Sequence, residues 1–238
     1  MNQLAAVFKR EYASFFRTPL GWVVCALFLF LSGLVFARSV LVPGEVASLR
    51  EFFTLWWSLL AVIAPAVSMR LVADELRTGT IEPLLCSPAG ELTIAVGKFG
   101  AAGAFLATCL VPTLVYPAIL MLVSRPDAGP MLAGYLGVLL LGWLYLAVGL
   151  LLSSLTASQT LAFLGTLFVI LSAELGAQQL TIRLPAPYDA AALKLSVSLR
   201  IGDFARGIID TRHVVFMVVL SGFFVACTAL VLKARRWR

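Results

Sequence analysis

The sequence predicts an all-α integral membrane protein with six transmembrane helices. Of its 238 residues, 61% are hydrophobic and only 13% are charged, whereas a soluble domain is about half apolar and a quarter charged. The apolar residues form six runs, each near the roughly 20 residues that a membrane span needs. Lysine and arginine cluster at both chain ends, as they do in the cytoplasmic flanks of membrane helices.

The first element is a predicted amphipathic helix over residues 1–18. Apolar residues recur there at helical spacing, at Leu4, Phe8, Tyr12 and Phe15. Charged and polar residues fill the other side of this helix, so we expect it to lie in the membrane interface. An ordinary cytoplasmic leader is the alternative.

The six predicted spans are about 20–37, 52–72, 95–123, 131–152, 159–175 and 213–232. An even number of spans places both termini on one side, and the basic clusters predict that this side is the cytoplasm. We therefore expect a multi-pass protein of the bacterial plasma (inner) membrane, with residues 38–51 and 124–130 facing outwards. A cleaved signal peptide at the first run is disfavoured, because about 19 residues precede it and the run is long enough to span.

Residues 176–212, between the fifth and last runs, predict a different kind of structure. Two prolines break the chain there, and the stretch after them has helical spacing but is too polar to span. We expect one or two extracytoplasmic helices at the outer membrane face, forming a partly re-entrant segment. Phe204, Gly207 and Asp210 are predicted to form a cap beside the last span. A seventh span is the alternative.

Motifs for catalysis and for metal or nucleotide binding are absent from the sequence. The string closest to a phosphate-binding loop, from Gly90 to Phe99, has the wrong spacing and lacks the serine or threonine that would hold magnesium. The four cysteines form no C-x-x-C pair, and the single His213 has no partner motif. We therefore predict no catalytic, cofactor or metal site in this chain. Nucleic acid is not an expected partner, because no basic patch contains interleaved aromatic residues.

Ionisable residues are almost absent from the predicted spans. Arg70, Lys98 and Glu174 are exceptions, and each lies near an edge of its run. A proton-coupled secondary transporter usually needs carboxylates or histidine inside its spans, so a secondary transporter or channel is disfavoured. The protein is expected to use another energy source.

The polar break between the second and third runs concentrates charge in one short connection. Its charged residues include Asp74, Glu75, Arg77 and Glu82. Gly79 permits a chain reversal, and Thr80 can cap a short helix from Ile81 to about Cys86. Such a helix at the inner membrane face is suited to docking a cytoplasmic partner. A solvated loop is the alternative.

The polar break resembles a signature of type-two ABC exporter permeases. The matching string is Glu75-x-Arg77-x-Gly79-Thr80-Ile81-Glu82-x-Leu84-Leu85-x-x-Pro88, followed by Gly97-Lys98. Two further segments are similar to this family, especially to its gliding-motility and copper-maturation branches: Phe15-Phe16-Arg17-Thr18-Pro19-Leu20-Gly21 and Phe204-x-x-Gly207-Ile208-Ile209-Asp210. Pro83 departs from the family pattern, in which leucine is expected.

This resemblance implies that residues 1–238 form a single transmembrane permease domain of an ATP-driven exporter. Residues 74–90, here called the coupling segment, would contain a cytoplasmic coupling helix that contacts a separate ATPase. The implied contact residues are Asp74, Glu75, Arg77, Gly79, Thr80 and Glu82. ATP and magnesium would bind to that cytoplasmic ATPase dimer, so this chain is not expected to be an enzyme.

The resemblance also implies further partners and a substrate path. A second permease copy or a paralogue would face this chain in the lipid bilayer, and an extracytoplasmic accessory protein can join them. The path would follow the second and fifth spans. Its candidate lining residues are Trp56, Ser58, Ser68, Gln159 and Thr166, for which helix-to-helix hydrogen bonding is the alternative. The rival function is a membrane scaffold, in which the same ATPase drives mechanical work on an extracytoplasmic protein without moving a solute.

Overall fold

The structure, a computed structural model, describes residues 3–39, 49–85, 90–123, 127–183 and 197–236. These residues form helices and turns and contain no strand. The helices are α1 Gln3–Arg17, α2 Pro19–Ser39, α3 Arg50–Ser68, α4 Ala73–Thr78, α5 Ile81–Leu85, α6 Glu91–Leu110, α7 Val115–Val123, α8 Ala128–Leu155, α9 Gln159–Arg183, α10 Val197–Ala205 and α11 Thr211–Arg236. Six helical stretches among them are long and apolar enough to cross a membrane. The predicted all-α, six-span membrane architecture is confirmed.

Two helix ends differ from the prediction, and the third span is interrupted. α3 ends at Ser68 rather than near residue 72, because four turn residues separate it from α4. α9 continues to Arg183, eight residues past the predicted end, since polar side chains do not interrupt helical backbone hydrogen bonds and the next proline is Pro185. The third span changes to a 3-10 turn at Val111–Leu114, where a proline lacks the N–H group that an α-helix requires.

One end of the helix bundle holds α1, α4, α5 and the last turn of α11, and we call it the basic end. Arg236 Nη1 lies 2.9 Å from Glu91 Oε1 at the start of α6, and Arg235 donates a hydrogen bond to the Leu155 carbonyl of α8 at 3.2 Å. The first and last described residues therefore lie at the same end. That this end faces the cytoplasm stays a prediction.

The amphipathic helix α1 packs lengthwise on α6. Val7 is buried directly against Gly97, where an added Cβ would come within 2.8 Å of the valine side chain. Further along, the hydroxyls of Tyr12 and Thr108 lie 2.8 Å apart. Small residues on α6 permit this close approach. Much of the apolar side of α1 thus contacts protein, while its basic side chains stay exposed.

Aromatic rings fill the other half of the bundle. Trp56 on α3 is fully buried, and its ring centroid lies 5.4 Å from Phe28, 5.1 Å from Phe52 and 6.3 Å from Tyr135. These rings belong to α2, α3 and α8, and most of the pairs have the edge-to-face geometry that aromatic quadrupoles favour. We call these four rings, together with Phe53, the aromatic cluster.

A short helix, α10, lies at the end opposite the basic end. Its nine residues are too few to cross a membrane, and Ile201 and Phe204 bury their side chains against the bundle. The carboxylate of Glu174 on α9 accepts a hydrogen bond from the Val197 backbone N–H at 3.2 Å, at the first turn of α10. Residues 184–196, the other part of the predicted outer segment, lie outside the described residues. Its extracytoplasmic location stays a prediction.

Candidate functional site

The polar break forms two short helices where the sequence predicted one. α4 spans Ala73–Thr78 and α5 spans Ile81–Leu85. Gly79 separates them with φ of +72°, a left-handed conformation that ends many helices and that favours glycine. The predicted chain reversal at Gly79 is therefore present. The additional helix, α4, holds two carboxylates in its first turn, where the helix dipole stabilises negative charge.

The outward side of these two helices holds four of the predicted contact residues. Arg77, Gly79, Thr80 and Glu82 are exposed. The Thr80 hydroxyl, predicted to cap α5, lies 2.9 Å from the hydroxyl of Thr78. The inward side of α5 is apolar, with Ile81 and Leu84 both 8% exposed. Residues 86–89 of the coupling segment lie outside the described residues.

Glu75, a fifth predicted contact residue, points inwards to Lys98. Lys98 on α6 is only 1% exposed, and its Nζ lies 2.8 Å from Glu75 Oε1 and 3.1 Å from Glu11 Oε1. The same Nζ donates to the Leu71 carbonyl at 2.7 Å. An ammonium group has three N–H donors, and three acceptors surround this one. Lys98 therefore joins α1, α4 and the end of α3 at one point.

Arg10 completes this group, here called the Lys98 cluster. Its Nη2 lies 2.7 Å from Glu11 Oε1 and 3.2 Å from Glu75 Oε1, so two cations face two carboxylates. Burial alone would raise the pKa of Glu11, but Lys98 and Arg10 outweigh burial and hold that pKa below its usual value. Glu75 Oε2 is buried and accepts no hydrogen bond from a described residue. The ion pairs at Oε1 offset the burial of Glu75 only in part, so burial still raises the pKa of this carboxylate above its usual value.

Asp74 joins the coupling segment to α9. Its Oδ1 accepts a hydrogen bond from Gln159 Nε2 at 2.7 Å and lies 3.2 Å from Arg77 Nη2. Gln159 was predicted to line a substrate path, and the structure places it at the basic end, at the first residue of α9. The hydrogen bond it makes runs to a predicted ATPase-contact residue rather than across the middle of the bundle.

Ser153 of α8 satisfies the backbone at the break between α3 and α4. Its buried Oγ accepts hydrogen bonds from the N–H groups of Val72 and Ala73 at 3.1 and 3.0 Å. The same hydroxyl donates to the Met69 carbonyl at 2.9 Å. Helix ends leave such backbone groups without partners inside the helix. One side chain of α8 thus fixes the geometry of the connection to the coupling segment.

The other predicted path residues are dispersed through the bundle. Trp56 is buried in the aromatic cluster, and Ser58 is exposed on the outside of α3. Ser68 and Thr166 are buried, and each donates to a carbonyl of its own helix, at 2.8 and 2.6 Å. Ser68 and Thr166 converge on Gly149 of α8. The described structure brings these two together, while the substrate path as a whole stays a prediction.

Sequence reasoning missed the Lys98 cluster and Ser153. Lys98 did give a signal, because an ionisable residue inside an apolar run usually has a specific partner, yet it was interpreted as an edge position. Its partner Glu11 lies 87 positions away, and no local pattern connects the two. Among the described residues, no group of three or more histidine, cysteine, aspartate or glutamate side chains could hold a metal ion. The site therefore offers ion pairs and hydrogen bonds between helices.

Comparison with known protein families identifies a family for this chain. The profile of the family described as ABC-2 family transporter protein matches residues 5–185, which is 181 of the chain's 238 residues. The matched region contains α1 from residue 5 onwards, the coupling segment, the Lys98 cluster and Ser153. No curated protein matches the chain.

Proposed function

Because the chain belongs to the ABC-2 family of transporter proteins, we propose that it is the membrane subunit of an ATP-driven exporter whose ATPase is a separate cytoplasmic protein. Family membership makes the chain a transmembrane subunit of an ABC transporter. The outward direction of transport, the inner-membrane location and the cytoplasmic termini are parts of the proposal. So is the pairing with a second permease copy above an ATPase dimer that binds ATP and magnesium.

One observation supports the coupling role most directly: α4 and α5 are exposed on one side and firmly attached on the other. Arg77 and Glu82 are free to contact a partner surface. On the inner side, Glu75 is bound to Lys98 and Asp74 is bound to Gln159. A force on the exposed side is therefore applied to other helices of the bundle as well as to α3.

The contacts define how such a force would spread. Displacement of α4 moves the Glu75 carboxylate, which would pull α6 through Lys98 and α1 through Arg10. It also moves Asp74, which holds the start of α9, and the backbone that Ser153 holds on α8. Buried ion pairs and hydrogen bonds are strong and directional in a low-dielectric interior. ATP-driven movement of the coupling segment would thus reach the second and fifth spans, between which the substrate path is proposed.

The proposal is tested with charge-reversed variants of the exposed side. Arg77→Glu combined with Glu82→Lys keeps the net charge and changes both exposed signs. Each variant is co-expressed with the cognate ABC ATPase, and co-purification and ATP hydrolysis in proteoliposomes are measured. We expect at least about a tenfold loss of association, because contacts between charges at an interface can be worth a few kcal/mol.

Arg206→Glu is the matched control, since this arginine is 55% exposed at the opposite end of the bundle. It should leave association unchanged. Normal association of the Arg77→Glu, Glu82→Lys variant would contradict the coupling role. If association and ATP hydrolysis respond but no solute is moved, the scaffold function replaces the exporter.

A further inference from the structure

A polar cavity lies at the basic end between α1 and the connection from α3 to α4. Its volume is about 260 Å³, several times the roughly 30 Å³ share of one water molecule. Arg10, Ser14 and Thr18 line the wall formed by α1, and Arg70 and Asp74 line the opposite wall. The cavity can therefore hold a polar group of several heavy atoms.

The charges around this cavity leave one cation without a counter-ion. Lys98 and Arg10 are balanced by Glu11 and Glu75. The remaining lining carboxylate, Asp74, forms an ion pair with Arg77. In the part of the chain that the structure describes, Arg70 has no carboxylate within ion-pair distance. Asp74 and Glu11 also attract Arg70, but from beyond ion-pair distance. Among the described residues of this group, four cations thus face three carboxylates, so the cavity favours one anion.

Arg70 is oriented to bind that anion. Its Nη1 donates to the Thr18 hydroxyl at 2.7 Å, its Nη2 donates to the Ser14 carbonyl at 3.3 Å, and its guanidinium carbon lies 4.9 Å from the centroid of the Phe15 ring. These contacts fix the guanidinium plane. Contacts with the described residues use two of its five N–H donors. Arginine presents such donors in a planar fork that matches phosphate.

The location of the cavity indicates which anion is available. α1 is an amphipathic helix with exposed basic residues, and such helices lie at the level of the lipid headgroups. Apolar side chains of α2 and α3, including Val24 and Ala66, adjoin the cavity beyond Phe15. Trp22, 61% exposed at the first turns of α2, is a residue type enriched at the membrane–water interface. The cavity thus lies beside two spans at the level of the lipid phosphodiesters.

We propose that this cavity binds the headgroup of phosphatidylethanolamine, with the phosphate on Arg70 and the ammonium group towards Asp74. The Asp74 side chain is 46% exposed and lines the cavity with Glu11 and Glu75. These carboxylates attract an ammonium group, whereas the uncharged glycerol of phosphatidylglycerol gains no such attraction. The site prefers a zwitterionic headgroup with N–H donors. This inference does not depend on the ATPase.

The test uses the full chain in lipid nanodiscs with mixed phospholipids, without ATPase. Native mass spectrometry after mild extraction counts the lipids that each chain retains. Phosphatidylethanolamine should be retained at least about tenfold over phosphatidylglycerol, and Arg70→Gln should reduce its retention about tenfold, as expected for lost hydrogen bonds to a charged group. Arg17→Gln is the control, because this arginine is exposed on α1 and does not line the cavity.

Further lipids and variants test separately the ammonium contact with Asp74 and the lipid origin of the phosphate. Phosphatidylcholine has the phosphate without ammonium N–H donors, so Asp74→Asn should abolish the preference for ethanolamine over choline. This variant also provides the test if Arg70→Gln does not fold. Displacement by inorganic phosphate at millimolar concentration would show a site for a soluble anion and overturn the lipid assignment. Unchanged retention in Arg70→Gln, or equal retention of the ethanolamine and glycerol lipids, would overturn the proposal.

Discussion

The basic end and the aromatic cluster stabilise the same bundle by different means. At the basic end, a few polar contacts join helices that are distant in sequence, such as Lys98 with Glu11 and Ser153 with the backbone of Val72. Around Trp56, aromatic rings from several helices fill the interior. Polar contacts depend on direction and are either made or broken, whereas apolar packing is non-directional. The difference suits the basic end to move between discrete arrangements and the aromatic cluster to keep the bundle together.

The largest expected effect is at the aromatic cluster. Trp56→Ala should lower the free energy of unfolding by about 4 kcal/mol, because it removes a fully buried ring and leaves a cavity. Thermal unfolding in detergent measures the effect, and Trp22→Ala, at a ring that is 61% exposed, is the control. The fraction of Trp56→Ala molecules that remains folded should still bind the ATPase normally. If Trp56→Ala lost ATPase binding while the free energy of unfolding stayed unchanged, the aromatic cluster would not be the region that keeps the bundle together.

Lys98→Met should lower the free energy of unfolding by about 3 kcal/mol, because removal of one partner leaves buried charge uncompensated. Two carboxylates would then share Arg10 alone. ATP hydrolysis coupled to the membrane subunit should fall as well, unlike in Trp56→Ala. Lys9→Met on the exposed side of α1 is the control. Adding Glu75→Gln to Lys98→Met should restore part of the stability, and strictly additive losses would show that the two side chains do not interact.

Ser153 and Ser154 are adjacent on α8, and replacing each by alanine compares a serine that joins two helices with one that does not. Ser153→Ala should cost about 2 kcal/mol, because it leaves two buried N–H groups without an acceptor. Ser154 is equally buried, but its described hydrogen bond runs to the Leu151 carbonyl of its own helix. Ser154→Ala should therefore change the unfolding free energy little. Equal losses in the two variants, measured by chemical denaturation, would mean that Ser153 does not fix the break between α3 and α4.

The smallest effect concerns the turn between α4 and α5. Gly79→Ala should cost about 1 kcal/mol, because φ of +72° is unfavourable for a residue with a Cβ. A Cβ would meet no neighbouring atom within 4 Å, so strain of the backbone is the cause. Gly222→Ala on α11 is the control, as it is also free of neighbours but has a helical backbone. If the free energy of unfolding did not change in Gly79→Ala, the turn would be able to take up another backbone conformation without cost.

Sequence reasoning identified the spans and missed their polar connections, and the reason is physical. Spans are recognised from local hydropathy and length, which the residues of each run determine alone. The contacts of Lys98 depend on how α1, α4 and α6 pack, so they are absent from any window of the sequence. Ser153 and Ser154 are indistinguishable as a dipeptide within an apolar helix, and only the tertiary structure separates their roles. The helix α4 was missed because its six residues contain no apolar period.

The packing of α1 on α6 has a consequence for biosynthesis. Val7 leaves the ribosome about 90 residues before Gly97, its contact on α6, and chains grow at roughly 5–20 residues per second during synthesis. During these seconds Val7 lacks the α6 surface that buries it. A nascent α1 that rests on the membrane surface would be kept from the solvent until α6 inserts. The amphipathic pattern thus serves two successive neighbours, lipid during synthesis and helix α6 afterwards.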